Sequence, residues 1–411
     1  MTDWTDITIK ELVDQNIIDP PMDGNHGEIH PKGEDFQEYG IPFVMASDIN
    51  DGVIDFENCK YISEEQAAGL RKGFSTKGDV LLTHKATIGR TTIVPEIDSD
   101  YIMLTPQVTY YRIKNKEVLN NEFLKYYFDF KPFQELLGLW AGAGSTRAYI
   151  GITGQQNLSI RYPGIVAQLS IAKILSDLDS KIELNNKINA ELEAMAKLIY
   201  DYWFVQFDFP DENGKPYKSS GGKMVYNEEL KREIPEGWEV KVLGDYASIK
   251  KGKLITEKKA NTDGKIKVVS AGIDFSYFHS ESNYDANTIT ISASGASAGF
   301  INFWREPIFA NDCTTIRGNN LADTLQLLGF LQMRQDYIFQ QARGSAQPHV
   351  YPKDIEGLKI AIPPKEVIKQ YGTLVVSGNT KISNNLKENQ KLAKLRDWLL
   401  PMLMNGQVRV N

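Results

Sequence analysis

At 411 residues, with 42% hydrophobic and 24% charged side chains, the chain has the composition of a globular protein with room for two or three domains. Its apolar runs are too short and too interrupted by charge for a membrane span, and the opening MTDWTDITIKELVD is acidic without an apolar signal region, so a cytoplasmic location is expected. Two cysteines far apart, Cys59 and Cys313, supply neither a disulfide framework nor a cysteine zinc site, and a net charge of -7 argues against a uniformly basic surface.

In chain order, ITIKELVD, IPFVMASDI, GDVLLTHKA, IGRTTIVP and PQVTYYRI are short β-rich runs bounded by Gly, Pro and Asp. The run NNEFLKYYFDFKPFQELLGLW reads as helix, with Pro132 expected to break or kink it. AGAGSTRAYIGITGQQNLSIRYP reads as an irregular loop leading into the strand LSIRYP. A long helix follows, and after Phe209 the Gly-, Ser- and Pro-rich stretch up to Trp238 reads as a surface connector. Short β-rich runs then recur through WEVKVLGDYASIKKGK, KIKVVSAG, NTITISASG, AGFINFW and DCTTIRG. TLQLLGFLQMRQDYIFQQA is helical, and GSAQPHVYPKDIEGLKIAIPP repeats the loop and strand of the first half. The last helix is predicted from Lys365 to Met404, with Gly378 as a weak point and Gly406 as its stop.

The long middle helix organises the rest. Leu178, Ile182, Asn185, Asn189, Leu192, Ala196, Ile199 and Trp203 alternate in steps of four and three, the seam of a helix that lies against another helix. Asn185 and Asn189 require a polar partner at the same level. That partner is found two hundred residues on, where Gly144–Leu192 superposes without a gap on Gly344–Leu392 with eleven identities. They include Gly144/Gly344, Ser145/Ser345, Pro163/Pro363, Ile182/Ile382, Asn185/Asn385, Asn189/Asn389 and Leu192/Leu392. Chance would give roughly three, so the chain reads as two copies of one domain, each followed by a long helix. Leu399 continues the second seam.

With KILSDLDSKIELNNKINAELEAMAKLIYDYWFVQFDFP set between two variable domains and echoed at the C-terminus, the chain resembles the specificity (S) subunit of type I restriction-modification systems. The resemblance implies an α+β protein. Two β-rich α/β target-recognition domains in pseudo-twofold repeat (1–163 and 237–363) are separated by two long antiparallel helices forming a coiled coil (164–208 and 364–411), with a connector at 209–236. Domain, helix, domain, helix would place the domains at opposite ends of the pair. About 27 seam residues span roughly 40 Å, close to one DNA turn of about 34 to 36 Å. The implied partners are double-stranded DNA, two methyltransferase (M) subunits and restriction/motor (R) subunits, with no membrane. No catalytic residue is expected here. A P-loop is lacking, Ile362-Pro363-Pro364 lacks the leading Asn or Asp of an amino-methyltransferase motif, and no nuclease-like set of carboxylates with Lys occurs. S-adenosylmethionine, Mg²⁺ and ATP would belong to the partner subunits, with no cofactor bound by this chain.

A DNA-reading surface is sought in the loops. GSTRAY offers Ser145, Thr146, Arg147 and Tyr149; its counterpart in the second half offers Arg343, Ser345, Gln347 and His349. Hydroxyls can donate to phosphates, and Arg or Gln can address base edges in two-point fashion. THKATIGR, with Thr83, Lys85, Thr87 and Arg90, faces SASGASAG, with Ser294 and Ser297, while Lys250, Lys251 and Lys253 form the densest cationic cluster of the second half. Each set reads equally as turn-forming or solvated structure. Residues 1–162 carry 15 basic against 24 acidic side chains, and 238–360 carry 14 against 13, so the first domain must gather its few cations on one face or borrow them from a partner. His26 and His30 in HGEIH have metal-ligand spacing only on a helix, which the neighbouring Gly and Pro oppose. The aromatic run from Tyr200 to Phe209 reads as core anchoring the helix end, or as a contact for a partner subunit. Two other classes stay open: a coiled-coil interaction scaffold that binds no DNA, favoured by the acidic charge, and, more distantly, a standalone nuclease or methyltransferase.

Overall fold

The computed structural model describes residues 4–142, 148–342 and 348–408. Two helices dominate it. The first, Ile165–Tyr200, contains neither Pro nor Gly and runs on through one π-helical turn, Asp201–Val205. The second spans Lys365–Met404, as the sequence predicts, and Gly406 beyond it adopts the left-handed conformation at φ +67°. Gly378 is not a weak point. The helix passes through it, and a Cβ there would stand 3.6 Å from Leu192 Cδ2, an ordinary packing contact.

The chain folds as two compact units, Met1–Glu183 with Gln390–Asn411, and Leu184–Asn389. Each contains part of both long helices. Within the second unit, Asn185 Nδ2 donates to Asn389 Oδ1 at 2.8 Å and Asn385 Nδ2 donates to Asn189 Oδ1 at 2.9 Å. Position rises on one helix as it falls on the other, so the pairing is antiparallel. Exchanging each residue for its repeat counterpart, two hundred positions away, turns one bond into the other, a local twofold relation. Asn389 also donates to Asn186 Oδ1, and Asn185 to Glu388 Oε2, both at 2.8 Å. Among the seam residues Ile382, Asn185, Asn189, Asn385 and Trp203 are buried, and Leu178, Ile182, Leu192, Ile199, Asn389, Leu392 and Leu399 are half-buried.

The first unit has one four-stranded antiparallel sheet in the order Met22–Asp23, Val108–Tyr111, Val80–Lys85, Thr87–Ile93. The second repeats it as Ser248–Lys251, Cys313–Arg317, Thr288–Ser292, Ile301–Trp304. A second sheet in each is built on a parallel pair, Ile41–Val44 with Ile102–Leu104 and Ile266–Val269 with Ile308–Ala310. The strand that opens each copy pairs antiparallel with the strand leading into its long helix: Thr5–Thr8 with Ser159–Tyr162, and Glu239–Val242 with Lys359–Ile362. The internal repeat is therefore a repeat of topology.

Several local expectations change. ITIKELVD is strand only as far as Thr8; the Thr8 hydroxyl accepts from the Glu11 N–H while the Glu11 carboxylate accepts from Thr8 N–H, and this capping box starts a helix at Ile9. Phe130 separates the helices Asn121–Asp129 and Lys131–Trp140, with Pro132 in the first turn of the latter, as its missing N–H dictates. Both loop-plus-strand segments contain a short helix, Ile152–Gln156 and Pro352–Glu356. The connector is not formless: Met224–Asn227 and Arg232–Pro235 make a hairpin. The aromatic run is core except for Tyr202, which is exposed. Trp203 and Phe204 pack against Tyr371, while Phe204, Phe207 and Phe209 surround Trp238 within 5.2 to 6.1 Å, closing the end of the helix inside the second unit.

Candidate nucleic-acid interface

In both units the hairpin of the main sheet ends in a turn of small residues, and that turn is stitched to the segment preceding the short helix. In the first, Ile150 N–H donates to His84 O at 3.1 Å and Ala86 N–H to Ala148 O at 3.3 Å, which sets Lys85 opposite Tyr149. In the second, Val350 N–H donates to Ala293 O at 3.0 Å and Gly295 N–H to Pro348 O at 3.1 Å, which sets Ser294 opposite His349. The left-handed positions also correspond: Ala86 (φ +64°) with Gly295 (φ +78°), and Gly89 (φ +89°) with Gly299 (φ +93°). A glutamine side chain holds each second glycine, Gln134 Nε2 donating to Gly89 O at 2.9 Å and Gln335 Nε2 to Gly299 O at 2.8 Å.

What the two frames display differs. Lys85 and Tyr149 are exposed, the ammonium lying 6.0 Å from the Tyr149 ring centre. His349 stacks on exposed Tyr351 at 6.0 Å, and Ser294 is nearly buried, its hydroxyl donating to Asp312 Oδ2 at 2.6 Å. Thr87 and Ser297 are half-buried on their turns. Two candidates have structural duties. Thr83 is fully buried and its Oγ1 accepts from Arg90 N–H at 2.9 Å, so its side chain shapes the hairpin and has no access to a base. The Arg90 guanidinium donates to Ile49 O at 3.0 Å and Asn50 Oδ1 at 2.6 Å, which ties the hairpin to the neighbouring loop. Ser145, Thr146, Arg147, Arg343, Ser345 and Gln347 lie outside the described residues.

Lys250 and Lys251 lie on the edge strand Ser248–Lys251, exposed, with Lys251 opposite Thr314. Lys251 and exposed Lys253 therefore stand at the sheet end that carries Ser294, since Cys313 pairs with Ser292 and Gly252 N–H donates to Cys313 O at 2.8 Å. The corresponding edge of the first unit holds Asp23, His26 and Lys72. Burial opposes ionisation of Asp23, but hydrogen bonds from Lys72 and His26 prevail and hold its carboxyl below the ordinary range. His26 meets Asp23 at 3.0 Å and His30 Nδ1 meets Asn25 O at 3.1 Å, and among the described residues no group of three or more His, Cys, Asp or Glu is placed to hold a metal ion.

Sequence reasoning passed over two features. His84 is fully buried; its Nδ1–H donates to Ile150 O at 3.0 Å, and burial pushes its pKa below the ordinary value. Leu139, Trp140, Tyr337 and Phe339 are large, apolar and exposed on the helices just before the two bridged segments. The signal for them was available, as apolar residues off the helical stripe at a helix end.

Two copies of one module, with a common loop frame and unlike exposed side chains, each seated on part of an antiparallel helix pair, define a two-headed recognition protein. The family described as "Type I restriction modification DNA specificity domain" matches residues 1–194 and 235–394, and the chain belongs to this family. It is 30% identical to the type I restriction enzyme MjaIX specificity subunit of Methanocaldococcus jannaschii over 357 residues, 81% of this chain and 78% of that one. It is 24% identical to the HindI specificity subunit of Haemophilus influenzae, over 91% of this chain and 96% of that one. The fold matches the S subunit of a type I restriction-modification system from M. genitalium with a TM-score of 0.62 at 19% identity, covering 98% and 96% of the two chains. The chain is accordingly a DNA-specificity subunit and not itself an enzyme. Among the described residues no helix is long and apolar enough to cross a membrane.

Proposed function

We propose that each unit reads one half of a split, asymmetric DNA target in the major groove, through its bridged hairpin and loop. Residues 1–163 and 237–363 act as the two target-recognition domains, and 164–208 and 364–411 as the spacer between them. The observation that carries this reading is the repeated backbone frame with exchanged side chains, exposed Lys85 and Tyr149 against half-buried His349 and exposed Tyr351. A constant frame presents different donors and acceptors to different bases. Lys251 and Lys253 meet phosphates beside the second hairpin; Lys85 and the loop containing Arg147 do so in the first.

The helices also carry the docking surface for the partner subunits. Met195, Leu198 and Tyr202 are exposed at one-turn spacing, and two hundred residues on stand exposed Leu395 and Trp398 and half-buried Met402. A repeated apolar stripe fits two copies of the same partner, here two methyltransferase subunits, which then recruit restriction/motor subunits. S-adenosylmethionine, Mg²⁺ and ATP belong to those partners, and the complex works on DNA in the cytoplasm.

Methylome sequencing of cells expressing the chain with its partner subunits tests the reading. Exchanging 237–363 for the same domain of a relative changes one half-site and leaves the other, and a change in both halves refutes modular reading. Adding one heptad within Leu178–Phe204 and one within Ile382–Met404 lengthens the spacer by about 3 bp, since seven residues add roughly 10.5 Å. An unchanged spacer refutes the ruler.

A further inference from the structure

In each unit one polar residue links the recognition domain to both long helices, and the two links are built differently. In the first unit the hub is Asp179, on the central helix. Its carboxylate accepts from Tyr126 Oη at 2.7 Å and from Arg396 Nη1, on the C-terminal helix, at 2.7 Å, with Lys125 Nζ at 3.6 Å. Tyr126 and Lys125 belong to the domain's own helix, Asn121–Asp129. In the second unit the hub comes from the domain. Arg305, which follows the strand Ile301–Trp304, donates through Nε to Asn379 Oδ1 on the C-terminal helix at 2.8 Å and pairs through Nη2 with Glu193 on the central helix at 2.9 Å. Asn379 is the repeat counterpart of Asp179 and donates onward to Asn287 Oδ1 at 3.0 Å.

Stability alone does not account for the first hub. Asp179 and Arg396 are 28% and 33% exposed, a range in which ion pairs add little net stability, and the domains already rest on large apolar cores. Two directional bonds that tie three elements together do what apolar packing does poorly: they set the angle of one body on another.

We infer that Asp179 and Arg305 are positioning residues that fix the attitude of each recognition domain on its helices, and so the distance at which its half-site is read. The inference rests on the function proposed above. It assigns the discrimination between spacer lengths to the hubs and the discrimination between bases to the hairpin ends.

The test uses the assembled methyltransferase and duplexes carrying its mapped target with the spacer unchanged, one base pair shorter or one longer. Wild type strongly prefers one spacer. Asp179→Ala and Arg305→Ala each lower that preference about tenfold while base selectivity within each half-site holds, the size expected when about one charge-assisted contact is lost. Tyr126→Phe, which removes one hydroxyl and little packing, gives a smaller loss in the same direction and serves if Asp179→Ala does not fold. Lys173→Ala, in an exposed pair on the same helix, changes nothing. Unchanged spacer preference in folded variants overturns the inference, as does a parallel loss of base selectivity, which marks general loosening. A wild-type complex without sequence-specific methylation would instead overturn the functional reading beneath it.

Discussion

The first unit is locked behind its bridged hairpin by polar groups, the second by hydrocarbon. In the first, buried Gln155 donates to Ile150 O at 3.0 Å and Thr109 Oγ1 at 3.1 Å and accepts from Tyr111 Oη at 2.6 Å, beside buried His84. In the second, the repeat counterpart of Gln155 is buried Ile355, and Ala293 takes the place of His84. The backbone bridge in front of both is the same. The comparison teaches that the frame is specified by main-chain hydrogen bonding and a left-handed turn residue, so side chains behind and in front of it are free to diverge. A module that must read many sequences needs that freedom.

The comparison can be broken most directly at Gln155. Gln155→Leu leaves a buried tyrosine hydroxyl and a threonine hydroxyl short of partners, while Ile150 O keeps the His84 N–H, and should cost about 3 kcal/mol in urea unfolding. Ile355→Gln should destabilise the second unit for the converse reason, a buried amide with nothing to bond. A silent Gln155→Leu would mean that the polar lock holds nothing.

A smaller effect separates the two turns. Ala86 and Gly295 share a left-handed conformation, and no atom lies within 4 Å of a Cβ built on Gly295. Ala86→Gly should therefore gain, and Gly295→Ala lose, about 1 kcal/mol through backbone strain alone. Thermal unfolding of both variants checks whether one frame truly underlies both turns.

The gentlest probe is pH. Burial holds the folded pKa of His84 below its ordinary 6.5, so the unfolded chain takes up a proton first as pH falls. The stabilisation is complete above about 6.5 and drains away as pH drops through the folded value. Amide exchange, corrected for its intrinsic rate, should quicken in Val80–Lys85 between about pH 7.5 and 5.5 relative to Thr288–Ser292, where Ala293 does not titrate. His84→Ala should abolish that difference.

Much of this was legible in the chain. The four-three seam and the two-hundred-residue repeat identified both helices as partners, because a buried asparagine needs a matching asparagine and the repeat supplied one, and the order domain, helix, domain, helix gave their antiparallel pairing. The hairpins were found as glycine and hydroxyl clusters between β-rich runs. The mistakes share a cause. Thr83 and Arg90 were read by residue type as contacts for DNA, yet a threonine at 0% exposure and an arginine held by Ile49 O and Asn50 are occupied by partners some tens of residues away or across a turn. Gly378 was read as a weak point by propensity, yet the helix Lys365–Met404 runs through it unbroken.

Local and periodic information in the amino-acid order sufficed to determine the helices, their seam, the doubling of the domain and the family. These depend on spacing along one chain or on identity between two stretches of it. Tertiary structure alone decided which polar residues face outward and which are spent internally. It brought Tyr149 to Lys85 and His349 to Ser294, and it made Asp179 and Arg305 the points where domain and helices meet. Such roles are set by neighbours remote in sequence, and one chain read in order carries no record of which distant groups will satisfy a given donor or charge.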